Sequence, residues 1–274
     1  MRNLTPGRVV RNVVVVALGL IWLLPTYLLI VNAAVSNDSY SGTARWFPGS
    51  FALWDNIEAG WRAADFTDTA RNSLLYAGVC AAAAVLIATL AAFALVVMPV
   101  RRKALWFWLI YAGTLLPLQV FARPLFLAAS TTNLYDTPWG LGIVYVAICI
   151  PFAMFVVRNY LTTLPPEVTE SARIDGAGWL RLFWSIHVPL SRSAMAAAFV
   201  FQFVYIWNEL FFGITLSLSP EVQPVMAALA GLQGNFSAVG QPAVLAAALV
   251  VSLPTVALFF GFQKFFVTSL KSNI

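Results

Sequence analysis

Charge is what this sequence has least of. Only 10% of its 274 residues are Asp, Glu, Lys or Arg, against 61% that are hydrophobic. A water-soluble chain of this length needs more charge to coat its surface, so a soluble globular domain is excluded first. There is one histidine, His187. A single imidazole cannot build a multi-histidine metal site, and its place beside Pro189 fits a packed structural position. The two cysteines, Cys80 and Cys149, lie inside apolar runs without metal-ligand spacing. They are expected to pack as small hydrophobes. No metal site and no catalytic residue is assigned. A G-x-x-x-x-G-K phosphate cradle is missing, so nucleotide hydrolysis is not expected of this chain. The apolar runs also lack the period-2 alternation of barrel strands.

What is present in quantity is long hydrophobic segments, and the mean hydropathy is +0.82. Six stand out, at roughly 13–31, 74–98, 105–129, 141–157, 194–215 and 243–262. A bilayer core of about 30 Å takes about 20 helical residues to cross. Lipid offers backbone groups no partner, so each crossing is expected to be a helix. The reading is an all-α membrane protein, a single membrane domain over 1–274 with about six transmembrane helices. Pro25, Pro117, Pro124, Pro151 and Pro254 fall inside the segments and are expected to kink rather than break them. The stretch 225–232 is apolar but too short to span, which fits a loop helix. Arg2, Arg8 and Arg11 precede the first run, whose length and lack of a following A-x-A pattern fit an uncleaved helix rather than a signal peptide. The Ala-rich patch 81–84 permits close helix approach, and lipid-facing filler is an equal alternative.

The basic residues divide unevenly. With the N-terminus inside, one side receives Arg2, Arg8, Arg11, Arg101, Arg102, Lys103, Arg158, Arg173, Arg181, Arg192, Lys264 and Lys271. The other receives Arg45, Arg62 and Arg71, with Arg123 near its end of the third segment. Inward-facing loops carry the excess of Lys and Arg, so both termini are expected in the cytoplasm. This asymmetry accounts for the net charge of +5 without a nucleic-acid partner. In the outer loop, Trp46, Trp54 and Trp61 suit the headgroup level.

The most informative stretch, 164–190, lies on the inner side. Pro166 can open a helix, since its missing N–H costs nothing there. Glu167 and Glu170 then fall in the first turns, where carboxylates suit the helix dipole. Gly176 and Gly178 can end that helix. Leu180, Phe183 and Trp184 follow at i, i+3, i+4, the spacing of one helix face. Pro189 stops the second piece before the next span. The product is a short helix–turn–helix, acidic and small-sided at its start.

Glu170-Ser171-Ala172, Asp175-Gly176-Ala177, Ile186 and Val188-Pro189-Leu190 occupy the positions of a longer pattern. They resemble the EAA loop of ABC importer permeases: Glu-Ala-Ala, three residues, Gly, nine residues, Ile, one residue, Leu-Pro. Ser171 stands for the second Ala and Val188 for the Leu. Asn72-Ser73, Trp207-Asn208-Glu209 and Gln263-Lys264-Phe265-Phe266-Val267 resemble signatures of the carbohydrate-uptake branch, and within it the smaller maltose-type permease. The Gly-rich tail common after that last run is replaced by Ser269-Leu270-Lys271-Ser272-Asn273-Ile274.

The resemblance implies the MetI-like permease fold in a prokaryotic plasma membrane. It implies a second, related permease chain, two ATP-binding ATPase subunits and an extracytoplasmic solute-binding protein. This chain would bind no cofactor, ATP and Mg being used by the partner ATPase. Glu167, Glu170, Ser171, Ala172, Asp175, Gly176, Ala177, Phe183 and Pro189 would form the ATPase coupling segment. In it Glu170 pairs with a basic group, Ala172 and Gly176 permit close approach, and Leu180 and Phe183 pack on the loop's own scaffold. The outer loop with Gly231, Gln233, Gly234 and Asn235 would reach the binding protein.

From spacing alone, Gln202, Tyr205 and Glu209 share a face at i, i+3, i+7, with Asn208 adjacent, and Gln119 and Arg123 share one at i, i+4. Intramembrane polar groups face the bundle interior or a wet path. A solute route and interhelical hydrogen bonding both stand open for them. A permease for a non-sugar solute is the first alternative. A secondary transporter would need repeats and midplane ionisable groups, and Glu209 is the sole acidic residue near a span interior. An intramembrane enzyme would need a catalytic constellation that is absent.

Overall fold

The computed structural model describes residues 6–47, 49–233 and 239–271. Every regular element among them is helical. In chain order these are α1 (Pro6–Ala33), α2 (Leu53–Ala63), α3 (Phe66–Val96), α4 (Lys103–Thr114) and α5 (Leu118–Thr131). Then come α6 (Pro138–Leu161), α7 (Pro166–Ile174), α8 (Trp179–Leu190) and α9 (Arg192–Trp207). Last are α10 (Phe211–Leu216), α11 (Val225–Gly231) and α12 (Gln241–Lys271). Among the described residues four helices are long and apolar enough to cross a membrane, or up to six if the bent pairs α4–α5 and α8–α9 each count as one span. The chain clusters into two compact units, Met1–Asp65 with Leu229–Leu253, and Phe66–Ala228 with Pro254–Ile274.

In the first unit α1 runs unbroken through Pro25. Asn32 ties its end to the following loop. The Asn32 amide donates to Leu28 O and Arg45 O, and its oxygen accepts the Arg45 N–H at 2.7 Å. Buried Asn56 of α2 donates to the carbonyls of Ala33 and Val35, both at 2.8 Å. Gly60 lets α2 approach the start of α12 closely, since a Cβ there would meet Ala243 O at 2.8 Å.

The second unit is built on the seam between α3 and α6. Along α6, Leu141, Tyr145, Cys149, Ala153 and Val157 recur every four residues and are fully buried. Facing them on α3 are Ala77, Ala81, Ala84, Ala88 and Ala92, also fully buried. Lipid tails are as apolar as the side chains, so burial alone gives such a seam little driving force. Small residues let the backbones approach and dispersion contacts accumulate. The 81–84 patch divides accordingly: Ala81 and Ala84 are buried, Ala82 is exposed.

Three segments depart from the expected spans. The second begins earlier, because α3 starts at Phe66 after Asp65 turns the chain with φ 46°. The third is broken, not kinked: α4 and α5 meet at 90°. Pro117 is extended (ψ 125°) and lacks an N–H, and the residue before a proline avoids helix. Pro124 is harmless because the α-helical part of α5 begins only at Ala122, which puts it in that first turn, while Pro151 and Pro254 sit inside continuous helices. The fifth span is also interrupted. α9 ends at Trp207, and after three residues a new helix, α10, begins. The short helix read at 225–232 is α11.

Candidate functional site

α7 opens on Pro165 and Pro166 with Glu167 in its first turn. Its end carries the geometry that explains the spacing of the EAA-like pattern. The Ala177 N–H donates to Ala172 O at 2.9 Å and the Gly176 N–H to Arg173 O at 3.0 Å. This pair of bonds is a Schellman termination, whose next-to-last residue must be left-handed. Gly176 has φ +80°. The small residues flanking the motif, Ala172 and Ala177, both pack against the buried core cluster, the contact that commonly accompanies this cap. Ser171, where the pattern has alanine, bonds back to Glu167 O at 2.8 Å. Asp175 is the C-cap, its N–H bonded to Ser171 O at 3.0 Å. Glu170 and Arg173, with Thr169 and His187, line a cavity of about 460 Å³.

The expected apolar face of α8 is corrected by the structure. Phe183 is 1% exposed and meets Phe93 edge-on at 5.3 Å. Leu180, however, is 77% exposed, and Trp184 is also exposed. Residues Leu182–His187 form a π-turn. Bonding i to i+5 rotates the following side chains, so Leu182, Phe183 and His187 face inward instead. Pro189 does not end the piece directly. α8 runs to Leu190 and the 74° bend into α9 follows. Buried His187 places Nε2 at 3.2 Å from Thr169 Oγ1 and its ring 5.1 Å from Phe93, joining α7, α8 and α3. The Arg173 guanidinium lies 4.7 Å over Trp179, a cation–π contact. Two large apolar side chains of this segment stand bare among exposed charged residues, Ile174 at 86% exposed and Leu180.

The polar residues of the membrane segments separate into three groups. Gln202 and Tyr205 stay together on α9, lining a cavity of about 410 Å³ with Thr114, Phe152 and Phe201. The Gln202 amide also donates to Cys149 O at 3.1 Å. Gln119 and Arg123 stand exposed beyond the α4–α5 break and do not line that cavity. Asn208 and Glu209 lie past the end of α9, so the expected i, i+7 face does not form. The Asn208 amide donates to Val204 O at 2.7 Å.

Glu209 is 7% exposed. Its carboxyl group accepts the Tyr145 hydroxyl at 3.0 Å and the N–H groups of Phe212 and Gly213 at 2.9 and 3.2 Å. It therefore caps α10. Tyr145 in turn meets Tyr76 edge-on at 5.7 Å. Of the outer-loop residues, Gly231 ends α11 and Gln233 is exposed, while Gly234 and Asn235 lie outside the described residues. Sequence reasoning missed Tyr145, Thr169 and Trp179. Each is tied to its partner only through the fold.

A helical bundle with two bent pairs of helices and a glycine-terminated EAA-like turn defines a membrane-embedded subunit of a multi-component transport system. The chain belongs to the family described as binding-protein-dependent transport system inner membrane components, which matches residues 84–272. It is 31% identical over 265 residues to the sn-glycerol-3-phosphate transport system permease protein UgpE of Yersinia enterocolitica, covering 93% of this chain and 92% of that protein. It is 29% identical over 252 residues to the melibiose/raffinose/stachyose import permease protein MelC of Bacillus subtilis, covering 91% and 90%. Its fold is that of a chain in the crystal structure of a bacterial ABC transporter involved in the import of the acidic polysaccharide alginate. That chain matches with a TM-score of 0.76 and 20% identity, covering 97% of this chain and 98% of the other.

Proposed function

We propose that this chain is one of two pore-forming subunits of an ATP-binding cassette importer for a carbohydrate delivered by an extracytoplasmic binding protein. The observation that carries the reading is the segment 164–190, packed on its inner side through Phe183 and Phe93 and bare on its outer side at Ile174 and Leu180. A joint of this kind passes force. Its inner face is locked into α3 and α6, and its outer face offers apolar surface to a separate ATP-hydrolysing subunit. Glu170 would give register against a basic group there. Such a pair contributes little energy if it stays wet. Asp175 and Gly176 hold the turn, and Ser171, Glu167 and Pro189 shape its edges. The partners are a second, related permease chain, two ATPase subunits that use ATP and Mg, the solute-binding protein, and lipid. Both termini would lie in the cytoplasm by the distribution of basic residues.

The carbohydrate reading is supported by the name of the MelC relative, whose substrates are oligosaccharides, and the UgpE name adds a related polyol phosphate. Gln202 and Tyr205, in an otherwise largely apolar and aromatic cavity, fit one wall of a solute path. Gln119, Arg123, Asn208 and Glu209 would flank it. A non-sugar solute is favoured by one relative, the osmoprotective compounds uptake permease protein GgtD of Synechocystis, 28% identical over 275 residues.

Co-purification tests the docking role. The wild-type chain is expected to bring down an ATPase subunit, and Glu170→Lys or Ile174→Asp to abolish that while membrane insertion persists. Survival of the complex in both variants would count against it. Uptake of labelled sugars against osmoprotectant solutes by the reconstituted complex then decides the substrate class. Uptake driven by an ion gradient without any ATPase would instead indicate a secondary transporter.

A further inference from the structure

The run 217–224 connects α10 to α11 without regular structure, yet groups from elsewhere hold its backbone and the helix ends on either side of it. The Asn72 amide donates to Pro220 O at 2.9 Å and to Gln223 O at 3.3 Å. Ser73 Oγ accepts the Val225 N–H at 2.8 Å. The Tyr76 hydroxyl donates to Val222 O at 3.0 Å. Asp136 Oδ1 accepts the N–H groups of Leu218 and Ser219 at 2.8 and 3.0 Å, and the Asp136 N–H donates to Leu216 O at 3.1 Å. Seven backbone groups of one short run are thus bonded by α3 and by the loop between α5 and α6: the carbonyls of Leu216, Pro220, Val222 and Gln223, and the amides of Leu218, Ser219 and Val225.

Tyr76 follows Asn72 by four residues and Ser73 by three on α3, so it neighbours both on the helix surface. Ser73 and Tyr76 are buried, so these bonds are not readily replaced by water. Asp136 reaches its place through a backbone with φ 53°, a region that Asp tolerates better than most residues. Glu209 fixes the other end by capping α10. A plain connection would need none of this, because an exposed loop satisfies its backbone with solvent.

We infer that Asn72, Ser73 and Asp136 are positioning residues. They clamp the run 216–225, whose Leu218 stands exposed, so that this run is presented in one register to a docked solute-binding protein. The inference rests on the importer reading above. It assigns the clamp a part in signalling from outside. The partner is recognised by this run, and the clamp makes its response rigid enough to reach α3 and, through Glu209 and Tyr145, α6.

The test uses the complete transporter in proteoliposomes and measures ATP hydrolysis against binding-protein concentration. Asn72→Ala and Asp136→Ala each remove two hydrogen bonds. Each is expected to raise the half-stimulating concentration about tenfold while hydrolysis without binding protein stays at the wild-type level. Asp136→Asn keeps an acceptor oxygen and is expected to remain near wild type. Ser73→Ala, one atom smaller, covers the case in which Asn72→Ala fails to assemble, with a rise of about threefold. Unchanged half-stimulation in the alanine variants, or a parallel fall in hydrolysis without binding protein, would overturn the clamp. If the wild-type complex itself shows no stimulation by a binding protein, the importer reading fails rather than the clamp.

Discussion

The segment 164–190 and the run 208–225 both interrupt the long helices of the second unit, and different forces hold them. The first is seated by apolar packing: Phe183 on Phe93, with Leu182, Ala172 and Ala177 around the same cluster. The second is seated by hydrogen bonds to its backbone, from Glu209 at its start and from Asp136, Asn72, Ser73 and Tyr76 further on. Packing resists displacement in every direction but specifies rotation loosely. Hydrogen bonds specify register sharply and can be exchanged one at a time. A part that must move as a solid piece suits the former, and one that must present a fixed outline to a visitor suits the latter.

The comparison is broken most severely at Phe183. Phe183→Ala should destabilise by about 3–5 kcal/mol, because the cavity opens where three helices meet. It should appear as a lower unfolding temperature of the detergent-solubilised protein. A cost under about 1 kcal/mol would mean that packing does not hold this end. Glu209→Ala comes next, at about 2–3 kcal/mol, since it leaves the Tyr145 hydroxyl and two amides without their acceptor. Glu209→Gln retains an acceptor and should recover most of the loss. If both variants cost the same, hydrogen bonding to the carbonyl-type oxygen is not what seats α10. Gly176→Ala should cost about 1–2 kcal/mol, the penalty of a Cβ in left-handed backbone. Gly176→Asn should cost less, and the difference is readable in the same melting assay.

The smallest effect sharpens the comparison by pH. Burial works against ionisation of Asp136, but the N–H groups of Leu218 and Ser219 and the Ser219 hydroxyl outweigh it and hold the carboxyl below its usual range. The unfolded chain therefore takes up the proton first. The stabilisation is complete above the ordinary carboxylate value of about 4 and is lost as pH falls through the lower folded value. Melting temperatures between about pH 6 and pH 3 should fall more steeply for wild type than for Asp136→Asn. Equal slopes would remove Asp136 from the acid limb.

How much of this was legible in the sequence follows from the range of each interaction. The long helices are carried by local hydropathy, and α6 and α12 cover the apolar runs that announced them, while α3 starts eight residues ahead of its run. The termination of α7 is also local, since Ala172, Gly176 and Ala177 fall within six residues, and their spacing is the spacing of the cap. The break before Pro117 was not legible, because a proline in an apolar run reads alike whether the neighbours re-close the ladder or let it part. The inward turn of Phe183 without Leu180 was hidden by the π-turn, which no periodicity of 3.6 anticipates. Glu209 was picked out as an unusual acid, but its role depends on Tyr145, 64 residues earlier in the chain. Asn72 and Ser73 were noticed as a signature, and their partners lie about 150 residues away.

The right-angle turn between α4 and α5 carries one last consequence. Hydrocarbon cannot solvate an interrupted backbone, so such a bend at membrane depth survives only beside protein or water. Gly113, Thr114, Leu116 and Leu118 all border the cavity of about 410 Å³ that holds Gln202 and Tyr205. If the pair lies at that depth, the protein keeps a damp notch within the bilayer, and deuterium should enter the amides around Leu115 long before it reaches those of α3 at the alanine seam.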